Sequence, residues 1–249
     1  MPDAFAERPS AQQVYRRAMA LLKESLFNHP SVWIAAIILF IATDIASVSS
    51  QGHFYAMSIL MARLVFDLWI VCAVYRAMIG SQSPIWSLDG NFWLYFAAAL
   101  ILGSAVLAIK LASDRLLYFF IRLLTPTPAA AHAVWLVASA VLMILIGLSV
   151  LRIAFWLPAL AVGGAQRGIV AAWRRVSGLM LPLVMAFLAA IMPLFAAHYL
   201  LTRWLQGGVP SAPARFALTG INGAISGVLL LAIASVISAT YTLTEQRTG

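Results

Sequence analysis

The sequence predicts an all-α, polytopic integral membrane protein with about six transmembrane helices and amphipathic helices at the membrane interface. Of the 249 residues, 63% are hydrophobic and only 10% are charged, whereas roughly 25% are charged in an average soluble domain. Apolar runs near or above the ~18 residues needed to cross a bilayer recur along the whole chain. A water-soluble fold could not bury that much apolar surface, so lipid must solvate most of the chain.

The first 30 residues are expected to form a cytoplasmic amphipathic segment that precedes the membrane domain. Apolar residues recur there at helical spacing: Val14, Ala18, Leu21, Leu22 and Leu26. Polar residues occupy the other side: Arg16, Arg17, Lys23 and Glu24. Two interpretations are open, a helix on the anionic leaflet or a cytosolic helix packed on the protein's own loops. The segment lacks the pattern of a secretory signal, so we expect it to be retained.

Residues 31–249 are predicted to form a single six-helix transmembrane domain. Apolar runs place its spans, to within ~2–4 residues at each end, at residues 31–50, 55–79, 92–112, 135–162, 178–200 and 216–243. A turn around Gln51, Gly52 and His53 makes the first two spans a tight hairpin. The fourth span is long enough to be tilted or broken.

Two stretches between the spans mix charged and apolar residues, as interfacial helices do. Residues 110–124 alternate charged with apolar side chains and stop at the TPTP sequence of residues 125–128, which predicts an interfacial helix ending in a stiff turn. The second stretch sets Ile169, Val170, Trp173 and Val176 against Arg167, Arg174 and Arg175. We expect it to lie along the cytoplasmic face.

The basic residues indicate orientation instead of nucleic-acid binding. The net charge is +8, but the bases are scattered between apolar segments and form no single stripe, so no nucleic-acid partner is expected. With an inward amino terminus, nine bases fall inside and five outside, which favours both termini in the cytoplasm. Inner-face bases are expected to contact anionic lipid headgroups: Arg16, Arg17, Lys23, Arg76, Arg167, Arg174 and Arg175.

Three ionisable residues, Asp44, Arg63 and Asp67, fall within predicted spans, where each charge costs ~2.5–3.5 kcal/mol. Asp44 and Arg63 reach a similar depth on the two sides of the first hairpin, and Arg63 and Asp67 share one helical face. Two acids then share one base, so we hypothesise that Asp67 is neutral or paired with Arg152 of the fourth span. The network is either a proton or cation site or, as we favour, an interhelical lock.

Small residues in the last span predict close helix packing. Gly223 and Gly227 form a GxxxG motif, and Gly220 lies one turn earlier. Such motifs let two helix backbones approach each other. We favour packing within the chain over packing between chains.

Catalytic, metal-binding and cofactor-binding motifs are missing from the sequence. Cys72 is the only cysteine, which excludes an intrachain disulfide. The four histidines lie at or near predicted span ends without zinc-site spacing, and HExxH, CxxC, Walker, GxSxG and Rossmann patterns do not occur. We therefore expect no metal, no cofactor and no enzymatic activity.

The stretch RIAFWLPALAV at residues 152–162, followed by AWRR at 172–175 and by Gly178, resembles a pattern in bacterial polytopic proteins. These proteins are related to the membrane domain of glycerophosphodiester phosphodiesterases, and the amphipathic start at residues 14–26 is similar too. The resemblance implies a six-helix inner-membrane module of unassigned activity. It does not imply phosphodiesterase chemistry, which belongs to a separate soluble domain. Gly163 and Gly164 depart from the more polar continuation of that pattern.

Three classes of function compete. The favoured one is a non-enzymatic membrane protein that organises or supports other components, with the bilayer and other membrane proteins as partners. The alternative is a small-solute or ion permease subunit that uses Asp44, Arg63 and Asp67, and a water-accessible path to these residues would favour it. An intramembrane lipid enzyme would need clustered acids or a metal near the inner headgroups, where the chain offers mainly arginines.

Overall fold

The computed structural model describes residues 9–49, 53–81, 83–125, 127–164, 168–176, 178–208 and 211–245. Within these ranges every regular element is an α-helix. The helices are α1 (Ala11–Asn28), α2 (Pro30–Ser49), α3 (His53–Ile79), α4 (Gly90–Leu124), α5 (Pro128–Ala154), α6 (Trp156–Val162), α7 (Ile169–Arg175), α8 (Met180–Gln206) and α9 (Ala212–Glu245). Helices occupy all six predicted span positions, and the turn expected at Gln51 and Gly52 lies outside the described residues.

Four helical stretches are long and apolar enough to cross a membrane: Gly90–Leu124, Pro128–Val162, Met180–Gln206 and Ala212–Glu245. There are five if α1 and α2, which are bent by 96° relative to each other, are taken together as one broken span. The chain therefore has the helices of a multi-pass membrane protein. The count of six spans stays a prediction.

Helix α9 lies at the centre of the bundle and packs against α1, α2, α3, α6 and α8. Its second half is buried among its neighbours and is rich in small residues: Ala232, Ala234, Ser235, Ser238 and Ala239. Small side chains let surrounding helices come close, and in lipid such packing replaces the hydrophobic effect as the force between helices. This half of α9 is the core around which the other elements are arranged.

The glycines of α9 face the backbone of α2. A Cβ atom at Gly223 would lie 2.7 Å from the carbonyl oxygen of Phe40 and 2.8 Å from Cα of Ile41. At Gly227 it would lie 3.1 Å from Cα of Ile37, and at Gly220 its nearest neighbour would be a side-chain methyl of Ile41 at 3.9 Å. The GxxxG motif therefore packs within the chain.

Helix α1 begins with a capping box between Ser10 and Gln13 and packs on the helical bundle. Val14, Ala18 and Leu21 are at most 1% exposed and belong to the same core as the residues of α8 and α9. These three residues of the apolar face therefore contact helices of the protein, whereas Leu26 at its end is 42% exposed. The main partners of α1 are α8 and α9, whereas the second interpretation of the sequence expected α1 to pack on loops.

Helix α4 runs without interruption for 35 residues, about 52 Å at 1.5 Å per residue. Lys110 donates to Asp114 one turn later, and the Ser139 hydroxyl of α5 donates to the other carboxylate oxygen of Asp114 at 3.0 Å. These contacts satisfy the charges that were expected to mark the start of a separate element. Residues 110–124 are thus helical as predicted but continue α4 instead of forming a separate helix, and α4 and α5 form one long hairpin. Their interfacial position stays a prediction.

The fourth predicted span is broken at Phe155, between α5 and α6. Pro158 lies four residues after Ala154, which ends α5, and proline has no N–H to donate to that carbonyl. Helix α6 then ends at Gly163, whose φ of 78° lies in the left-handed region that glycine adopts at little cost.

Candidate functional site

Arg63 of α3 lies between two carboxylates. Its Nη1 donates to Oδ1 of Asp44 on α2 at 2.9 Å, and its Nε lies 3.7 Å from Oδ2 of Asp67, one turn along α3. The guanidinium carbon also sits 4.6 Å from the centre of the Phe40 ring, a cation–π distance. The structure thus brings together three of the four residues of the predicted ion-pair network.

The network is neither sealed nor widely open. The side chains of Asp44, Arg63 and Asp67 are 14%, 28% and 26% exposed. Oδ1 of Asp67 is buried without a hydrogen bond in the described structure. The exposed neighbours on α3 are apolar, among them Val65 and Phe66. Apolar surroundings of this kind are typical of an ion pair that holds α2 and α3 together. The unpaired Oδ1 of Asp67 is the one feature of the network that favours an ion or proton site.

Arg152 does not join the network, so its predicted pairing with Asp67 is wrong. Its guanidinium carbon lies 4.0 Å from the centre of the Trp173 ring of α7. No acidic partner of Arg152 occurs among the described residues. The reason is the packing of α5, which contacts α4, α6 and α7 and directs its last turn toward α7.

Arg76 at the end of α3 is the most deeply buried charge of the described chain, with no exposed side-chain surface. Its Nε donates to the carbonyl of Ala161 at 3.0 Å, and its Nη1 to the carbonyls of Pro84 at 3.2 Å and Ser87 at 2.7 Å. Its Nη2 donates to Oδ1 of Asp89 at 2.5 Å. The prediction that Arg76 contacts lipid headgroups is therefore wrong, because protein oxygens surround its donors.

Asp89 completes this cluster from the start of α4. It accepts a hydrogen bond from the backbone N–H of Phe92 at 2.9 Å and so caps the helix. Burial raises the pKa of Asp89, but hydrogen bonds from Ser83, Phe92 and Arg76 together with the Arg76 charge outweigh it and lower the pKa to about 2. The Arg76–Asp89 pair therefore stays ionised at neutral pH and ties α3, α4 and α6 together at one end of the bundle.

Part of this cluster, namely Arg76, Ser87 and Asp89, could have been predicted from the sequence. Ser87 and Asp89 stand directly before the apolar run of α4, a pattern typical of a helix start, and Arg76 precedes them by one short loop. The carbonyls of Pro84 and Ala161 had no such signal, because only the folded loop and α6 bring them to Arg76.

The remaining bases predicted to face headgroups differ in exposure. Arg16, Lys23 and Arg174 are exposed, and Arg17 lies 3.8 Å from Glu24. Arg167 and the side chain of Arg175 lie outside the described part of the chain. Headgroup contact by these residues stays a prediction.

Among the described residues, no group of three or more His, Cys, Asp or Glu side chains is placed to hold a metal ion. The fold and these clusters define a class of protein, one with several helices long and apolar enough to cross a membrane and with charged side chains that connect helices. Comparison with known proteins adds no family, because no family model, curated protein or solved structure matches the chain. The likeness to the membrane domain of glycerophosphodiester phosphodiesterases therefore stays an expectation.

Proposed function

We propose that the protein is a non-enzymatic integral membrane protein with an organising or accessory role. The supporting observation is that the charged side chains within helices and loops, among the described residues, connect one helix to another. Arg76 connects α3 with α4 and α6, Arg63 connects α2 with α3, and Asp114 connects α4 with α5. Each cluster joins helices at a different place, whereas catalysis requires several such groups around one substrate volume.

The α4–α5 hairpin supports the organising role. The apolar stretch of α4 is only 17% buried, and that of α5 and α6 is 0% buried. Large side chains such as Ile101 and Val137 are 70% and 68% exposed. Without a hydrophobic force between helices in lipid, such a surface associates through shape and small-residue packing. The hairpin is the surface we propose for contact with the bilayer and with helices of other membrane proteins.

The basic residues support a position in the cell inner membrane with both termini in the cytoplasm. Arg16 and Lys23 are exposed on α1, and Arg174 is exposed on α7. The positive-inside rule places such side chains on the cytoplasmic side, where anionic headgroups attract them. Anionic lipid is therefore part of the proposed role.

Site-specific photo-cross-linking in native membranes tests the role of the hairpin. A photoreactive residue replaces Val137 on the hairpin or, as the matched control, Leu200 on α8, which is 67% exposed. We expect a discrete protein adduct from position 137 and only lipid adducts from position 200. Identical adducts from both positions would contradict a partner surface on the hairpin.

A permease subunit is the second candidate, and Asp67 is the observation that favours it. Its buried oxygen without a hydrogen bond is the kind of group that binds a proton or cation inside a membrane. Ion flux in proteoliposomes that disappears in Asp67→Asn, while the protein stays folded, would replace the accessory role with transport.

A further inference from the structure

Two adjoining cavities form one cleft between α5 and α8, here called the α5–α8 cleft. The first, of about 430 Å³, is lined by Leu148, Ser149, Arg152, Trp173, Met180, Leu181 and Val184. The second, of about 420 Å³, reaches α9 and is lined only by apolar residues and a glycine, among them Leu148, Val184 and Phe187. Leu148 and Val184 line both cavities, so the two lie side by side along α5 and α8. Each volume lies within the ~300–1,000 Å³ of typical ligand sites.

Arg152 gives one end of the cleft its polarity. Among the described residues that line either cavity it is the only charged one, and its Nε is buried without a hydrogen bond. The Trp173 ring 4.0 Å away stabilises the cation but supplies no oxygen that could accept from the N–H groups. A buried, unsatisfied donor on a cation is costly, and an anionic group in the cleft beside the guanidinium would offset part of that cost.

The cleft opens toward the membrane. Leu181 and Leu188, which line it on α8, are 73% and 44% exposed. Arg152 lies in the last turn of α5, just before the break that separates α5 from α6, and arginine and tryptophan side chains are favoured at headgroup depth. The apolar part therefore runs inward from headgroup depth, as an acyl chain does.

We propose that the α5–α8 cleft binds one anionic membrane lipid. An acyl chain lies along the apolar wall formed by α5, α8 and α9, and the phosphate accepts hydrogen bonds from the guanidinium of Arg152 beside Trp173. The charge of the site matches an anionic headgroup, and its lateral opening matches entry from the bilayer. This inference rests on the proposed function, in which anionic lipid takes part, and assigns that lipid a site the exposed bases do not form.

Lipid binding to the purified full-length chain in detergent tests the proposal by native mass spectrometry with added phosphatidylglycerol or phosphatidylcholine. Arg152→Gln removes the charge, and Arg122→Gln, an exposed arginine of α4, is its control. We expect Arg152→Gln to weaken phosphatidylglycerol binding about tenfold or more, as loss of a charge-assisted hydrogen bond does. Arg122→Gln should bind like the unchanged protein.

A second pair of variants tests the apolar wall and does not depend on the folding of Arg152→Gln. Gly147 lines the cleft, and a Cβ there would meet nothing within 4 Å, so Gly147→Leu adds an apolar side chain to the cleft wall from a position whose Cβ is free of contacts. Gly103→Leu on α4, where a Cβ is equally free, is the control. We expect Gly147→Leu to weaken binding of both lipids and Gly103→Leu to leave it unchanged.

Several results would overturn the proposal. Unchanged phosphatidylglycerol binding in Arg152→Gln or Gly147→Leu would exclude the cleft as its site, and equal weakening by Arg122→Gln would indicate attraction to net charge alone. Displacement of the lipid by inorganic phosphate would exclude a role for the acyl chain. A protein adduct from a photoreactive residue at Leu148 would replace the lipid with a partner helix. In each case a discrete adduct from Val137 would leave the proposed accessory role standing.

Discussion

The contact between Gly223 and α2 allows a graded test of how the bundle is held together. In Gly223→Ala, the new Cβ would lie 2.7, 2.8 and 2.9 Å from three backbone atoms of Phe40 and Ile41. Backbone atoms of a packed helix cannot rotate away, so α2 must move from α9. Overpacking of this kind costs about 1–3 kcal/mol, and we expect Gly223→Ala to lower the free energy of unfolding by that amount.

Alanine substitutions at three further glycines serve as comparisons for Gly223→Ala. Gly227→Ala, whose nearest backbone atom would be at 3.1 Å, should cost less, and Gly220→Ala, with a side-chain methyl at 3.9 Å, should be tolerated. Gly103→Ala meets nothing within 4 Å and should stabilise α4 by about 0.5–1 kcal/mol. Unfolding followed by tryptophan fluorescence, as SDS is titrated into detergent micelles, measures all four. A loss in Gly223→Ala no larger than in Gly220→Ala would refute the α2–α9 packing.

Three other predictions concern the charged clusters. Arg76→Ala should lower the free energy of unfolding in the same assay by about 3–5 kcal/mol, because Asp89 loses its buried partner. Arg76→Lys should not restore stability, since one ammonium group cannot replace the planar fork of guanidinium donors. Full stability in Arg76→Lys would contradict the hydrogen-bond geometry around Arg76. The pKa of Asp89 is lowered to about 2, so the ionised carboxylate stabilises the folded protein above the ordinary carboxyl pKa. About 2 kcal/mol of the free energy of unfolding should therefore be lost as the pH falls from about 4 to 2. Asp89→Asn should flatten this part of the pH profile, and an unchanged profile would show that another group is responsible. Asp67→Asn should change the free energy of unfolding by less than about 1 kcal/mol, because the contact of Asp67 with Arg63 is long and partly exposed. Asp44→Asn should cost more, because it breaks a hydrogen bond of 2.9 Å to Arg63. The reverse order of the two losses would place the stronger ion pair at Asp67.

Apolar periodicity was sufficient to place the helices. All six predicted spans coincide with helices, because a run of apolar residues near 20 in length has few alternatives in lipid. The same information did not show that the third predicted span continues without a break to Leu124. Residues 110–124 carry charges that are typical of an interface, but Lys110 and Asp114 pair within the helix and Ser139 adds a third contact. Charged residues that pair with each other one turn apart can therefore lie inside a long helix and need not mark its end.

The partners of individual charges were harder to predict than their positions. Asp44, Arg63 and Asp67 come together because a short hairpin fixes their relative depth. Arg76 and Arg152 each lie in the last turn of a helix, where a snorkelling side chain is the ordinary expectation. Arg76 is instead covered by the loop before α4 and by α6, and Arg152 by Trp173. Such contacts depend on loop and short-helix conformations that hydropathy does not encode.

Extraction of native membranes with alkaline carbonate, in the absence of detergent, most directly tests the claim that this chain is an integral membrane protein. We expect the protein to stay in the membrane pellet and to enter solution only when detergent is added. Release into the supernatant as a monodisperse species would contradict the membrane-spanning helices and every function proposed from them.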